Sequence, residues 1–353
     1  MARPSPIFDV MAALPLDVSA AEAEAVAQER WGVEAVARVL PGERDRNFHL
    51  RDRAGREFVL KFANPAEDAG FRAMQIAALR HIERVDPGLD VPRMVALPGG
   101  GFETAVRHRS GAVQQARLLS WLQGVPIGEA APGRAQREAY GAALARLQDA
   151  LASFRDPAAA GHEMAWDLQH APKLAGIAFA VRHEGARRAL GALLDWFARD
   201  VVPVVAGLPR QIVHNDLNRM NVLVDPADHA RIAGIIDFGD IAETAVLYDV
   251  AIAAVQLPVG DVGLAEGLGD FLLGYGAGRL GREAVALLPG LMALRLALGM
   301  TLASWHRHTQ PDNPHFDVSD AVFERRLGVI AGLQEPGLVA AVLEGYGRDG
   351  GGV

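Results

Sequence analysis

The stretch IVHNDLNRMNVLV (212–224) sets the tightest limits on what this chain can build. A short apolar run, fit for a strand, enters a polar loop, and the loop returns to a second apolar run. The loop carries His214, Asp216 and Asn221 in the spacing H-x-D-x-x-x-x-N. Another apolar strand follows at 232–236 and ends in Asp237-Phe238-Gly239-Asp240. Two carboxylates at the ends of neighbouring strands, with an amide between them, suit a base beside a divalent-metal site. Asp216 can accept or orient the proton of a substrate hydroxyl within hydrogen-bond reach. Asn221 lies five residues on, a spacing that a loop can wrap so that the amide oxygen joins a carboxylate at one metal. Asp237 is the anionic ligand expected for Mg2+, which takes one or two carboxylates together with phosphate and water oxygens. The plainer alternative makes Asp216, Asn221 and Asp237 turn and cap residues, because Asp and Asn favour turns.

Composition narrows the field. With 353 residues the chain can hold two lobes with substantial cores. Its formal net charge of −8 speaks against a nucleic-acid binder and is compatible with a small cationic substrate. No cysteine is present, which excludes disulfides, thiol catalysis and Cys-based zinc sites. The opening MARPSPIFDVMAALPL has a single Arg and no sustained apolar core, so no signal peptide is expected. The most apolar long segment, 287–305, carries Arg295 near its middle, which is costly in lipid. A buried helix in a soluble, cytoplasmic protein with no membrane partner is the expectation.

Taken in order, residues 19–30 read as a helix capped by Ser19. Residues 33–40, 47–51 and 57–63 read as three antiparallel strands, with turns at 41–45 and 53–56 and Lys61 on the third strand. Asn64-Pro65 breaks that strand. Residues 66–85 follow as a helix, with Phe71, Met74, Ala78, Leu79 and Ile82 on one face. Residues 91–97, 101–107 and 116–121 read as further strands, and 122–126 as a break. Beyond it the chain is mainly helical. The expected division is a first lobe at 1–122, a second at 123–345 and a flexible Gly-rich tail at 346–353.

Lysine on a strand, a metal-holding Asp and Asn, and an Asp at the attacking hydroxyl are the parts phosphoryl transfer needs. Their order here is that of the protein-kinase signature set. The chain resembles the aminoglycoside phosphotransferase and choline kinase superfamily in IVHNDLNRMNVLV, IAGIIDFGD (232–240) and YDVAIA (248–253). Within it, the chain is most similar to hydroxylysine kinase-like proteins. The matching stretches are GERDRNFHLR (42–51), EFVLKFANPAE (57–67), RLLSWLQG (117–124), WDLQH (166–170), HNDLNRMN (214–221) and PDNPHFDVSD (311–320). The resemblance implies an α+β, bilobal protein-kinase-like fold, with a β-rich first lobe holding one long helix and a mainly helical second lobe. It implies Asp216 as catalytic base, Asn221 and Asp237 as Mg2+ ligands, and Lys61 on the α/β phosphates. Residues 42–47, with Gly42, Arg44 and Asn47, would cover the nucleotide phosphates, and residues 120–124, with Ser120 and Leu122, would form the hinge along the base. Asp249 would brace the catalytic loop. Two departures stand out. Asn215 occupies a position where this superfamily usually has Gly. Gln75 stands where a helix glutamate is expected to pair with the lysine, which leaves Lys61 without a clear partner, with Glu67 as a possible substitute.

Other signals carry less. Residues 276–281 match G-x-G-x-x-G but follow no strand, and read as a turn between helices. His306, His308 and His315 lack the carboxylates of a metal cluster and read as a basic or aromatic surface. Arg107, His108 and Arg109 read as a solvated strand edge, with phosphate contact as the alternative. Trp166 and Asp167 are a core Trp with a helix cap, or substrate-pocket residues; Asp312 and Asn313 are turn residues around Pro311 and Pro314, or substrate contacts. Asp240 is a candidate for an ammonium group. The function expected is a small-molecule kinase using Mg2+ and ATP or GTP. Its acceptor is a small amino alcohol or hydroxylated amino acid, hydroxylysine foremost, with aminoglycoside, choline or homoserine as alternatives. A nucleotide-binding pseudokinase module and a metal-dependent hydrolase are the rivals from other classes.

Overall fold

Alternating burial along short strands builds the first part of the chain. The computed structural model describes residues 16–42, 44–257, 259–260, 262–276, 278–310 and 319–349. These separate into two compact units, one ending at Gln123 and the other beginning at Gly124.

The first unit opens with helix α1 (Ala20–Trp31). Ser19 caps it in a reciprocal capping box with Glu22, and Gly32 ends it at φ 68°. Strands β1 (Ala35–Leu40), β2 (Arg46–Asp52) and β3 (Glu57–Phe62) follow as an antiparallel meander. After helix α2 (Ala69–Val85) come β4 (Met94–Val95), β5 (Thr104–Arg107) and β6 (Val113–Ser120). The sheet order is β1-β2-β3-β6-β4, with β5 also on β6. Phe48, Leu50, Leu60, Phe62 and Leu118 point to one face and form a core with Ala23, Ala27 and Trp31 of α1. On α2 the expected stripe Phe71, Met74, Ala78, Leu79 and Ile82 is buried, as a 3.6-residue period requires. Two expected strands are shorter than the pattern implied. The 91–97 run keeps only Met94–Val95, because Pro92 has no N–H for the ladder. The 101–107 run starts at Thr104, after Gly100 and Gly101 turn at φ 88° and 83°. Conversely β6 begins at Val113, since Gln114 is buried although polar. At the β5–β6 turn Arg109 meets Asp17 and Glu22, and His108 meets the Asp17 carbonyl. That basic cluster therefore ties the strand edge to the start of α1.

The second unit begins with β7 (Val125–Pro126). Then come α3 (Arg134–Leu151), a 3-10 run (Leu168–Ala180), α4 (Glu184–Trp196) and the short α5 (Val202–Val205). Strands β8 (Arg210–Val213), β9 (Val222–Val224), β10 (Ile232–Ile235) and β11 (Ala242–Ala245) lead into α6 (Val246–Ala254). Next are α7 (Leu264–Tyr275), α8 (Arg282–Thr309), α9 (Asp320–Leu333) and α10 (Pro336–Asp349). β9 pairs with both β10 and β7, whereas β8 pairs with β11. The last helix continues to Asp349, past the point at which a loose tail was expected, and the Tyr346 hydroxyl accepts from Gly278 N and donates to Leu280 O. Gly276 and Gly281 end α7 and start α8, so the glycine-rich pattern there is an inter-helix turn. Helix α8 is long and apolar enough to cross a membrane, but 72% of its most apolar window is buried inside the protein.

Helices α3 and α7 touch backbone to backbone. A Cβ at Gly141 would lie 2.0 Å from the Phe271 carbonyl oxygen, and one at Gly274 would lie 1.8 Å from that of Glu138. Arg137 clasps Asp270 across the same seam at 2.7 Å. Gly141→Ala and Gly274→Ala are each expected to cost about 1–3 kcal/mol or more, since backbone cannot yield as a side chain does. Gly269→Ala, on the same helix with open space around it, is expected to gain up to about 1 kcal/mol from helix propensity. Urea unfolding of the three variants checks the contrast.

Candidate active site

The polar loop after β8 is fixed by its own backbone needs. His214 is fully buried, its Nε2 is 3.0 Å from the Ile236 carbonyl, and its Nδ1 accepts from Asp216 N at 3.3 Å. The ring thus ties the loop to the end of β10, and Phe238 packs edge-on against it at 4.9 Å. Asn215 adopts φ 62°, a left-handed backbone that Gly enters freely and Asn tolerates better than most residues. Its N–H donates to Asp249 Oδ1 at 2.8 Å. Asp249, on α6, is fully buried and also accepts from Gln148 of α3 at 2.8 Å. Burial pushes the Asp249 carboxyl up, and the Gln148 amide, His214 and the Asn215 N–H pull it back.

The loop brings Asp216 and Asn221 into direct contact. Asn221 Nδ2 donates to the Asp216 carbonyl at 2.9 Å and to its Oδ2 at 3.0 Å. Asn218 Nδ2 donates to the same Oδ2 at 2.8 Å. The carbonyl oxygen of Asn221 takes no part in those bonds. The Asn221 backbone carbonyl accepts from Ile236 N at 2.8 Å, which sets Asp237 beside the loop. Asp237 itself sits at φ 62°, a second non-glycine residue in the left-handed region. Burial and the charge of Asp240 push the Asp216 carboxyl up to about 8, with Asp237 adding to them, against Arg295 and the Asn218 hydrogen bond. One amide oxygen and one exposed carboxylate, in a place crowded with negative charge, suit a hard cation that completes its shell with phosphate and water. Among the described residues no cluster of three or more His, Asp or Glu forms an all-protein cage. The residues present therefore fit Mg2+ held at Asn221 and Asp237.

The nucleotide-side candidates lie in the first unit. Lys61 faces Asn47 across the β2–β3 ladder. Its Nζ is 3.4 Å from Asp45 Oδ2, with both side chains nearly covered. Asp45 therefore fills the partner's place that sequence reasoning left open. Gln75, at the position of the expected glutamate, is engaged by other side chains. It accepts from Arg117 Nη2 at 2.5 Å and donates to Glu67 Oε1 at 2.8 Å. Glu67 in turn serves Gln75, and burial and the charge of Asp45 raise its carboxyl. Gly42 is needed for space: a Cβ there would lie 2.6 Å from the Asp45 carbonyl and 2.8 Å from Asn47 Nδ2. The Arg44 carbonyl accepts from Asn64 Nδ2, and Asn64 N donates to Asp45 Oδ1, so the 42–47 turn is pinned to the end of β3. Ser120 ends β6 with its Oγ accepting from Arg93 N at 2.8 Å, and Leu122 follows half-buried.

The acceptor-side candidates divide. Trp166 lies under the Arg295 guanidinium, 5.1 Å from its ring centroid, and Arg295 Nη2 is 3.5 Å from Asp216 Oδ1. Asp240 is nearly buried and acts on Asp216 through its charge. Asp167 is a different matter. It is fully buried and caps the 3-10 run by accepting from Gln169 N at 2.9 Å, and it accepts from Thr244 Oγ1 at 3.0 Å. Its oxygens hold β11 to that run, the cap reading rather than the pocket reading. Asn313 and His315 lie outside the described residues. Toward the end of α8, Trp305 and His308 pack with Phe179 as an aromatic cluster. Sequence reasoning missed Asp45, Arg117, Asn218 and Arg295. Asn218 carried a signal, as a second amide inside the loop. Arg295 carried one as the lone charge in the apolar stretch 287–305.

Comparison with known proteins gives a consistent picture. The profile of the phosphotransferase enzyme family (APH) matches residues 36–288. The hydroxylysine kinase of Mus musculus is 24% identical over 323 residues, covering 84% of each chain. A microcompartment-associated aminopropanol kinase has a similar fold, with a TM-score of 0.68 at 20% identity over 90% of this chain and 97% of that one. Amicoumacin kinase, solved with AMP-PNP and Ca2+, has a TM-score of 0.64 at 16% identity over 84% of this chain and 87% of that one.

The backbone at Asn215 makes a further expectation. Among the described residues its buried amide group has no hydrogen-bond partner. Asn215→Gly removes both that cost and the left-handed strain, against about 0.5–1 kcal/mol of chain entropy. Its stability is expected to stay within about 1 kcal/mol of the parent, whereas Asn215→Val should lose at least about 1–2 kcal/mol. Thermal unfolding of the pair tests this, and equal losses would remove the backbone explanation.

Proposed function

The chain belongs to the phosphotransferase enzyme family, and from that membership we propose that it transfers the γ-phosphate of ATP or GTP to the hydroxyl of a small amino alcohol or hydroxylated amino acid, hydroxylysine foremost. The observation that carries this reading is the Asp216 carboxylate, held by the Asn218 and Asn221 amides at 2.8 and 3.0 Å. Two donors on Oδ2 fix the direction of the carboxylate, and Oδ1, 3.5 Å from Arg295 Nη2, is the oxygen offered to a hydroxyl. A base so oriented removes the proton as the alcohol oxygen attacks phosphorus in line. The similarity to a hydroxylysine kinase over 84% of both chains supports the acceptor class.

The remaining residues take complementary parts. Asn221 and Asp237 would hold Mg2+, which when bound offsets the charge of the β and γ phosphates. Lys61, steadied by Asp45 at 3.4 Å, is the cation for the α/β phosphates. Gly42, Arg44 and Asn47 line the turn assigned to phosphate cover, and Ser120 and Leu122 the segment assigned to the base. Asp240 faces the ammonium group of the acceptor.

Nucleoside diphosphate release across a panel of amino alcohols and hydroxylated amino acids tests the reading. Tight nucleotide binding with no phosphorylated acceptor would favour a nucleotide-binding module without catalysis. Asp216→Asn is expected to lose about 100-fold or more in kcat, with nucleotide affinity little changed. Asp237→Ala is expected to weaken Mg2+-dependent nucleotide binding, and an unchanged Mg2+ dependence would remove the metal role.

A further inference from the structure

A row of polar side chains crosses the first sheet. Asn47 of β2 lies opposite Lys61 of β3, and Lys61 lies opposite Arg117 of β6. Residues directly opposite on neighbouring strands share a face, with Cβ atoms about 5 Å apart. On β3 that face is the one turned away from the core residues Leu60 and Phe62. Two cations are therefore neighbours on one covered face, with Lys61 and Arg117 side chains only 13% and 6% exposed. Like charges directly opposite each other are unfavourable unless an anion stands with them.

That anion is Asp45. Its Oδ2 is 3.4 Å from Lys61 Nζ and 3.9 Å from Arg117 Nη2. Its Oδ1 accepts from Asn64 N at 3.1 Å. One carboxylate thus ties the 42–47 turn to β6 and to both ends of the row on β3. Arg117 Nη2 also donates to Gln75 Oε1 at 2.5 Å, and Gln75 passes the contact to Glu67. Burial and the charge of Asp45 raise the Glu67 carboxyl, while Arg117, Gln75 and Lys61 pull it down. The group is one electrostatic unit in which Asp45 is the shared anion.

The two cations are not equivalent. Lysine carries a point charge on a flexible stem and can turn to a new partner, whereas a planar guanidinium holds two acceptors in a fixed fork. Arg117 is so placed, between Asp45 and Gln75. If Lys61 turns toward nucleotide phosphates, Asp45 keeps a cation only through Arg117. A covered carboxylate stripped of its cations is strongly unfavourable and would draw Lys61 back.

We propose that Arg117 is a positioning residue for the nucleotide: it keeps Asp45 neutralised and the 42–47 turn in place while Lys61 is given over to the phosphates. This rests on the kinase reading above and adds a residue to it. Arg117 acts through Asp45 and does not itself meet the phosphates.

Calorimetric titration of the full chain with AMP-PNP and Mg2+ reads the affinity without turnover. Arg117→Gln is expected to weaken binding by about tenfold or more, the scale of coupling between neighbouring charges. Arg117→Lys, which keeps the charge, should recover most of that loss. The Asp45→Asn background isolates the route. With no carboxylate left to neutralise, adding Arg117→Gln should change the affinity by no more than about twofold. A tenfold loss in that background would overturn the proposal, since Arg117 would then act on the nucleotide itself or only on the fold. The same pair serves if Arg117→Gln alone does not fold, because neither member leaves Asp45 charged without Arg117. In turnover, Arg117→Gln should raise the nucleotide KM far more than it lowers kcat, with the acceptor KM little changed. A fall in kcat at an unchanged nucleotide KM would also overturn it. A parent that binds AMP-PNP but phosphorylates no acceptor would end the kinase reading and leave the Asp45→Asn comparison to decide the role of Arg117. A parent that binds no nucleotide would overturn both.

Discussion

The buried carboxylate of Asp249 is the interaction on which the loop carrying Asp216 depends. It meets the Asn215 N–H at 2.8 Å and the Gln148 amide at 2.8 Å, and no part of it reaches water. A charge so covered is tolerable only while its donors stay in place. Gln148 is itself held by the Tyr275 hydroxyl at 2.7 Å, and Tyr275 ends the helix that packs on α3 through Gly141 and Gly274. The Tyr140 hydroxyl, next to Gly141, donates to the Leu217 carbonyl in the loop. A close helix–helix seam is thus converted, through two tyrosines, a glutamine and an aspartate, into the backbone direction of Asn215 and Asp216. The left-handed turn at Asn215 is the local cost of that arrangement.

Negative charge gathers around the loop's tip. Asp240 and Asp237 both raise the Asp216 carboxyl, and Arg295 opposes them. Such a cluster is poorly suited to stability and well suited to binding positive groups. The first unit balances its own charges differently. Lys61 and Arg117 both approach Asp45 Oδ2, at 3.4 and 3.9 Å, while Glu67 and Gln75 complete the ring. The acid that steadies Lys61 comes from the turn before β2 rather than from α2. This is why α2 can carry a neutral glutamine at the expected position of a glutamate.

Much of the fold follows from local pattern. The α2 stripe, the capping box at Ser19 and the β1–β2–β3 meander each come from neighbours in sequence, so periodicity and turn chemistry reveal them. Strand β11 does not. Ala242–Ala245 has weak strand character, and its pairing with β8 depends on a contact between segments separated by the whole loop and β9–β10. The short β4 shows the opposite error, since an apolar run flanked by prolines cannot extend its ladder. Trp166 and Asp167 are adjacent in sequence yet part company in space: one meets Arg295, and the other turns inward as a cap.

The sequence by itself determined the reaction type. The spacing of His214, Asp216, Asn221 and Asp237 is short-range, and a loop between two strands leaves these residues few places to go. It also determined that Lys61 would sit on a strand with one face buried. Tertiary structure alone decided which charges meet. Asp45 with Lys61 and Arg295 with Asp216 are long-range pairings set by how helices and strands pack, and no period or motif encodes them. The physical reason is that backbone geometry is specified residue by residue, whereas the electrostatic company of a buried group is specified by everything that folds around it.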